Sequence, residues 1–303
     1  MGHTGMSTTA TTEPVPDIAV IIPHYNDVER LERCLDHLMR NDIGAAEIFV
    51  VDNNSPHPPD RLHAQFPTVR FLSELEKGAG PARNCGVAAS RAPWLAFIDA
   101  DCVPADDWLA TARKVAPRAD LVGGRVDVFD ETSPPRTGAQ AFEKVFAFNF
   151  KRYIEVQGIS GAGNLVTSRR VFDDVGPFRA AVSEDTDWTR RAVAMGYRLE
   201  YADDLVASHP SRGDWPALRH KWKRLMQESF ALALSSQTPA AARLRWAVKA
   251  FAMPASALAH LPKILFSPKL DTLGERLRGA LTLFRIRFSR MVWMLRQALG
   301  GTL

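Results

Sequence analysis

The sequence predicts an α/β fold, a mainly parallel central sheet flanked by helices, and three observations carry that prediction. Largely apolar runs at residues 18–22, 47–51, 69–72 and 94–98 (IAVII, EIFVV, VRFL, WLAFI) have the length and bounding turn formers of buried strands. Segments with helical apolar spacing alternate with them, the pattern of a layered α/β sheet. Polar clusters, HYN, DNNS and DAD, follow three of the runs, at the carboxyl ends where such sheets bind ligands.

The elements follow in order. After the first strand comes PHYND, and then residues 27–39 (DVERLERCLDHLM) place Val28, Leu31, Leu35 and Leu38 on one helical face beside Cys34. Asp27 or Asn26 is the expected cap. The second strand ends in DNNSP. Beyond the third strand, GAGPARNCGVAAS reads as a glycine-rich loop opening a helix, with Pro81 tolerated in its first turn. The fourth strand runs into Asp99 and Asp101, and residues 106–115 are a further helix. If extended backbone persists, those two acids face one side with Ala100 between them. Like charges that close repel unless a cation or solvent intervenes, and carboxylates suit magnesium or manganese. An isolated D-x-D is more ordinarily a solvated turn, so its neighbours decide.

With 303 residues and 46% hydrophobic content, the chain can fill a large domain, or a domain with an appendage, and is not a disordered protein. Cys34, Cys85 and Cys102 have no C-x-x-C spacing. That argues against a disulfide framework or a structural zinc site and fits a reducing compartment. Residues 1–16 lack the basic start and apolar core of a signal peptide and read as a flexible leader. The net charge of +4 is unevenly spread. From residue 218 onward, 15 Lys or Arg face 3 Asp or Glu, a balance of +12 that leaves −8 for the rest. An acidic body and a basic tail suggest an anionic partner for the tail.

IIPHYN, VVDNNS, GAGPARNCG and FIDAD, in this order, resemble the N-terminal half of family 2 glycosyltransferases. Those are inverting enzymes with a GT-A fold that use nucleotide-diphosphate sugars. SEDTDWTRRAVAMGYRLEY resembles the family's acceptor half, where an E-D pair opens a helix, so the resemblance spans residues 17–212. It implies that Pro23 and Tyr25 lie beside base and ribose and that Asp52 accepts hydrogen bonds from the base. Asn53 and Asn54 stand where relatives often carry another acid, which leaves the base open: uracil first, thymine or guanine next. By the same resemblance Arg83 reaches the diphosphate and Asn84 the ribose or phosphate. Asp101 binds a divalent cation, manganese or magnesium, that bridges the phosphates, and Asp99 contacts the ribose or the metal and its water shell. His209 is the implied third metal ligand, with Arg212 holding phosphates nearby. Asp185 is the implied base and Glu184 an acceptor contact or positioning group, with Ser183 capping their helix. Asn164, after two glycines that equally suit a tight turn, is a candidate sugar contact. Trp188 either lines the sugar site or packs under its helix.

After Trp215 the composition changes. RHKWKRLMQESFALAL reads as a basic amphipathic helix, and in residues 244–261 and 273–299 basic residues are interspersed among large apolar ones. No run of 18 uninterrupted apolar residues exists. Apolar faces with basic flanks suit the interface of an anionic membrane; packing on the catalytic domain or an oligomer seam is the plainer alternative. No nucleic-acid module is present. The expected organisation is a leader (1–16), a GT-A catalytic domain (17–215, with a nucleotide-binding half, 17–130, and an acceptor half, 131–215) and a membrane-associating helical region (216–303). The expected function is metal-dependent, inverting transfer from a nucleotide sugar to a hydroxyl of a lipid-linked glycan or polysaccharide. A peripheral or monotopic place on the cytoplasmic face goes with it. Two rivals stand beside it: a catalytically silent GT-A scaffold in a membrane assembly, and a nucleotidyltransferase. The latter would want a glycine-rich basic loop directly after the first strand, where this chain has PHYND.

Overall fold

The structure, a computed structural model, describes residues 15–180, 183–236 and 238–303. Most of the expected leader lies outside the described residues.

The chain alternates Ile18–His24 (β1), Val28–Leu38 (α1), Glu47–Asp52 (β2), Asp60–Gln65 (α2), Val69–Ser73 (β3), Ala79–Ala89 (α3) and Trp94–Ile98 (β4). Val103–Pro104 (β5), Trp108–Val115 (α4), Leu121–Phe129 (β6), Gly138–Phe146 (α5) and Phe150–Gln157 (α6) follow. Then come Asn164–Ser168 (β7), Arg169–Val175 (α7), Glu184–Ala194 (α8) and Leu199–Pro210 (β8). Three long helices follow, Trp215–Ser236 (α9), Pro239–Leu265 (α10) and Leu273–Ala298 (α11).

All eight strands form one sheet in the order β3-β2-β1-β4-β7-β6-β8-β5. The first four are parallel, β7 runs antiparallel to both its neighbours, and β6 and β8 are parallel. Chain order reverses between β1 and β4, so their carboxyl ends open a crevice at a topological switch point. Both faces of this half are covered, which is why its strands are apolar without alternation. Leu31, Cys34, Leu35 and Leu38 of α1 and Trp108 of α4 seal one face. Val87 of α3, Phe172 of α7 and Trp188 of α8 seal the other. Each such side chain contributes roughly 1.5–3 kcal/mol on burial.

Pro104 answers why the D-A-D run ends in proline. β5 is the sheet edge, where a missing N–H leaves no ladder bond unmade. Its pairing of Val103 with Ser208 sets the stretch after Asp101 against the end of β8, which carries His209.

The C-terminal helices pack on the α/β body. Phe142 and Ala141 of α5 share a core with Leu218, Trp246, Ile264, Leu283 and Trp293 from α9, α10 and α11. Arg136, just before α5, reinforces the joint with Asp130 (2.6 Å), Asp271 (2.6 Å) and Glu275 (3.1 Å). No helix is long and apolar enough to cross a membrane among the described residues.

Candidate active site

Four polar clusters gather at the carboxyl ends of β1, β2, β4 and β8. At the first, His24 Nε2 accepts the Asp27 backbone N–H (3.1 Å), so Nδ1 carries the proton donated to Asp52 Oδ1 (2.8 Å). Asp52 also accepts the Ser55 backbone N–H (3.0 Å) and hydroxyl (2.6 Å). Its carboxylate is thus largely occupied in joining the β1 and β2 loops. That does not match the expectation that it faces a base. Tyr25, 55% exposed, presents its ring openly beside the half-buried Pro23. Asp27 takes the N-cap position of α1 without a side-chain cap bond and pairs with Arg30 (2.8 Å) instead. Asn53, which stands where an acid was expected, binds the carbonyls of Glu74 and Glu76 and the N–H of Gly78, fixing the loop into α3.

Arg83, on α3, is buried and bridges two acids. Nη2 lies 2.7 Å from Asp99 Oδ1 and Nη1 2.8 Å from Glu184 Oε1. Its two Nη atoms thus form a strut between the carboxylates, while the buried Nε has no partner among the described residues; the expected reach to a diphosphate is not among the contacts seen. Asn84, one residue on, clasps the Phe178 backbone with both ends of its amide (2.8 and 2.9 Å). It anchors the segment before α8, so its amide is engaged with backbone and not with the crevice.

Strand geometry stops at Ile98, and the Asp99 carbonyl accepts the Cys102 N–H in a turn (2.9 Å). The two carboxylates therefore take different partners, not the shared side that extended backbone would give. Asp99 goes to Arg83, while Asp101 Oδ2 lies 3.0 Å from His209 Nε2. Burial alone would raise the Asp101 carboxyl. The hydrogen bond and charge of His209, helped by Arg212 and Arg30, outweigh it and hold Asp101 below its ordinary value. His209 Nδ1 contacts the Pro210 carbonyl (2.6 Å), so a cation bound at Nε2 would take the place of the proton that nitrogen shares with Asp101. Asp101 and His209 thus fit a hard divalent ion that takes its other ligands from phosphates and water. Asp99, held by Arg83, does not join them. Among the described residues no group of three or more His, Cys, Asp or Glu is arranged around a metal site.

Asp185 and Glu184 open α8 as expected, but Ser183 does not cap it. Its backbone is left-handed (φ 60°) and its hydroxyl reaches Glu228 of α9 (3.0 Å). Burial, then the neighbouring Glu184, pushes the Asp185 carboxyl above its ordinary value against the pull of Arg83. Trp188 is fully buried under the helix, with Nε1 on the Gly176 carbonyl, so it packs and does not line a sugar site. Gly163 is required by close approach: a Cβ there would stand 2.6 Å from Asp99 Oδ2. Asn164 is fully buried, taking Trp108 Nε1–H (2.9 Å) and donating to the carbonyls of Arg125 and Leu205 (both 2.9 Å). It fills the bulge where the β6–β8 register shifts after Gly124, and no sugar can reach it.

A basic cluster that the motifs did not reveal adjoins His209. Buried Glu143 of α5 holds Lys221 of α9 (2.6 Å) and the Arg212 backbone N–H (2.7 Å), with the Arg212 guanidinium 3.8 Å away. Lys221 also lies over the Phe148 ring, which packs against His209. Burial lowers the Lys221 ammonium below its ordinary value against the pull of Glu143. An acid on the apolar face of α5, among Ala139, Phe142 and Phe146, was the available signal.

The profile described as Glycosyl transferase family 2 matches residues 19–176. Glycosyltransferase AglE of Haloferax volcanii is 32% identical over 213 residues, 66% of this chain and 69% of that protein. The succinoglycan biosynthesis protein ExoO of Rhizobium meliloti is 31% identical over 119 residues, but the match spans only 33% of its length. Among solved structures, the mannosyltransferase PcManGT of Pyrobaculum calidifontis, in complex with GDP-Man and Mn2+, superposes with a TM-score of 0.56 at 22% identity, covering 92% of this chain and 87% of that one. TarS 1-349 of S. aureus with UDP superposes at 0.52 and 15% identity, covering 94% and 92%. The fold and the site define a glycosyltransferase of the GT-A type. The chain belongs to glycosyl transferase family 2.

Proposed function

We propose that this glycosyltransferase is an inverting enzyme, dependent on a divalent metal, that moves a sugar from a nucleoside-diphosphate donor to a hydroxyl of a lipid-linked glycan or polysaccharide. The observation that carries this reading is the meeting of the Asp101–His209 pair (3.0 Å) with the Arg83–Asp99–Glu184 bridge at one mouth of the sheet.

Asp101 and His209 would hold the cation, manganese or magnesium, whose charge offsets that developing on the departing diphosphate. Arg212 and Lys221, gathered by Glu143, supply positive charge next to that position. Tyr25 offers a ring on which the base can stack. Uracil is the first expectation for the base, with guanine and thymine next; solved neighbours are described with GDP-Man and with UDP-GlcNAc. Asp185, whose raised proton affinity suits a base, takes the proton from the acceptor hydroxyl as that oxygen attacks the anomeric carbon opposite the leaving group. Arg83 holds Glu184 and Asp99 in place through its two Nη atoms.

Attachment to an anionic membrane surface, on its cytoplasmic side, belongs to the same reading. Leu244, Val248, Phe251 and Leu258 of α10, and Leu277, Leu281, Phe284, Phe288 and Val292 of α11, are exposed at helical spacing. Such stripes beside basic residues suit an in-plane position at the headgroups. The test is release of nucleoside diphosphate from UDP-glucose, UDP-GlcNAc and GDP-mannose, with lipid-linked acceptor and with manganese or EDTA. Manganese-dependent release from one donor is expected; release from none excludes the transfer reaction for these donors.

A further inference from the structure

Arg287 and Arg290 of α11 have no hydrogen-bond acceptor and no acidic partner among the described residues, although both are half-buried and their Nε atoms are sealed from solvent. Three other arginines of α11 do have partners. Arg276 donates to the carbonyls of Leu265 and Leu270 (both 3.1 Å), Arg278 to that of Arg136 (3.1 Å), and Arg285 lies over the Trp215 ring at 3.9 Å. Residues 239–303 contain two acids, Asp271 and Glu275, and both are taken by Arg136.

Taking a cation out of water without a counterion is unfavourable, and a neighbouring like charge makes it worse. Burial, with the charge of Arg287 added, pushes the Arg290 guanidinium down to about 10. The Arg290 guanidinium lies over the Trp222 ring at 4.6 Å. That aromatic face covers one side of the Arg290 guanidinium but supplies no anion.

We propose that Arg287 and Arg290 form a phosphate-binding site that takes a phosphate ester. A doubly charged oxyanion offsets two guanidinium charges, and the planar guanidinium fork matches its oxygens in bidentate geometry. The site is separate from the Asp101–His209 centre but joined to it through the backbone of α9. Trp222 follows Lys221, whose ammonium lies 4.7 Å from the Phe148 ring centre, and that ring lies 4.8 Å from the His209 ring. The ester can be a soluble one or the head of a lipid lying along the apolar stripes of α10 and α11. The inference does not depend on the transfer reaction.

The test uses the full chain in EDTA, which removes metal-supported phosphate binding at the candidate active site. Thermal denaturation is followed with inorganic pyrophosphate against sodium chloride of equal ionic strength, for the wild type and Arg287→Met/Arg290→Met. Flotation with vesicles of phosphatidic acid against phosphatidylcholine forms the lipid arm. Near tenfold saturation pyrophosphate should raise the wild-type midpoint by about 3 °C beyond the chloride control, or phosphatidic acid should capture the wild type selectively. The double variant should lose that response. A response to pyrophosphate assigns a soluble ester, and one confined to vesicles assigns a lipid. In phosphate-free buffer the variant should melt no lower than the wild type, because two uncompensated charges are gone. Equal responses in both proteins, no wild-type response in either arm, or a variant that melts well below the wild type or fails to fold would overturn the site.

Discussion

Arg83 and Glu184, 101 positions apart in the chain, meet at 2.8 Å, and the same guanidinium holds Asp99 at 2.7 Å on its other nitrogen. One buried cation thereby ties the helix after β3, the turn after β4 and the start of α8 into a single rigid mouth. Removing it leaves two carboxylates facing each other across a site that burial has partly dried.

Arg83→Met should therefore destabilise the protein by about 3 kcal/mol, read from urea denaturation. Arg83→Lys keeps the charge but not the fork, and should recover only part of that loss.

Asp185→Asn should lower turnover about 100- to 10,000-fold while donor affinity stays near wild type. Near-normal turnover excludes Asp185 as the base. The same change should raise the melting temperature at neutral pH. A carboxyl raised by burial stabilises the fold only while protonated, and that contribution is lost as pH rises through its folded value. For the same reason the acid limb of the rate profile should lie above the ordinary aspartate range and vanish in the variant.

Gly163→Ala brings a methyl group to 2.6 Å from Asp99 Oδ2. Asp99 must move off Arg83 to admit it. Activity should fall at least tenfold, with a stability loss of about 1–3 kcal/mol in thermal unfolding.

Glu143→Gln leaves the half-buried Lys221 without its carboxylate. Binding of the donor should weaken together with a stability loss of about 3 kcal/mol. Unchanged donor affinity, measured by titration, excludes a part for this cluster in holding phosphates.

The first four strands were legible because each is a short, largely apolar run with a turn at its end, and the polar ends of β1, β2 and β4 marked the crevice; β6 and β8, LVGGRVDVF and LEYADDLVASHP, mix polar residues into longer runs and carry no such signal. Asp101 and His209, both named from motif position, do meet. Arg83, Asn84 and Asn164 were legible as positions but not as partners. A long or amide side chain carries no sign in sequence of whether it faces a ligand or a neighbouring backbone. His24 was hidden for the opposite reason: its partner Asp52 already had a reading of its own. The three C-terminal helices read as amphipathic, yet only the structure shows one side packed on α5 and another left open.

The central claim, a metal-assisted nucleotide site at Asp101 and His209, is tested most directly by calorimetric binding of UDP, GDP and dTDP with manganese and with EDTA. The account predicts that one of the three binds in manganese, that EDTA abolishes the binding, and that Asp101→Ala abolishes it too. Equal binding in EDTA, binding that survives Asp101→Ala, or no binding of any of the three would contradict it.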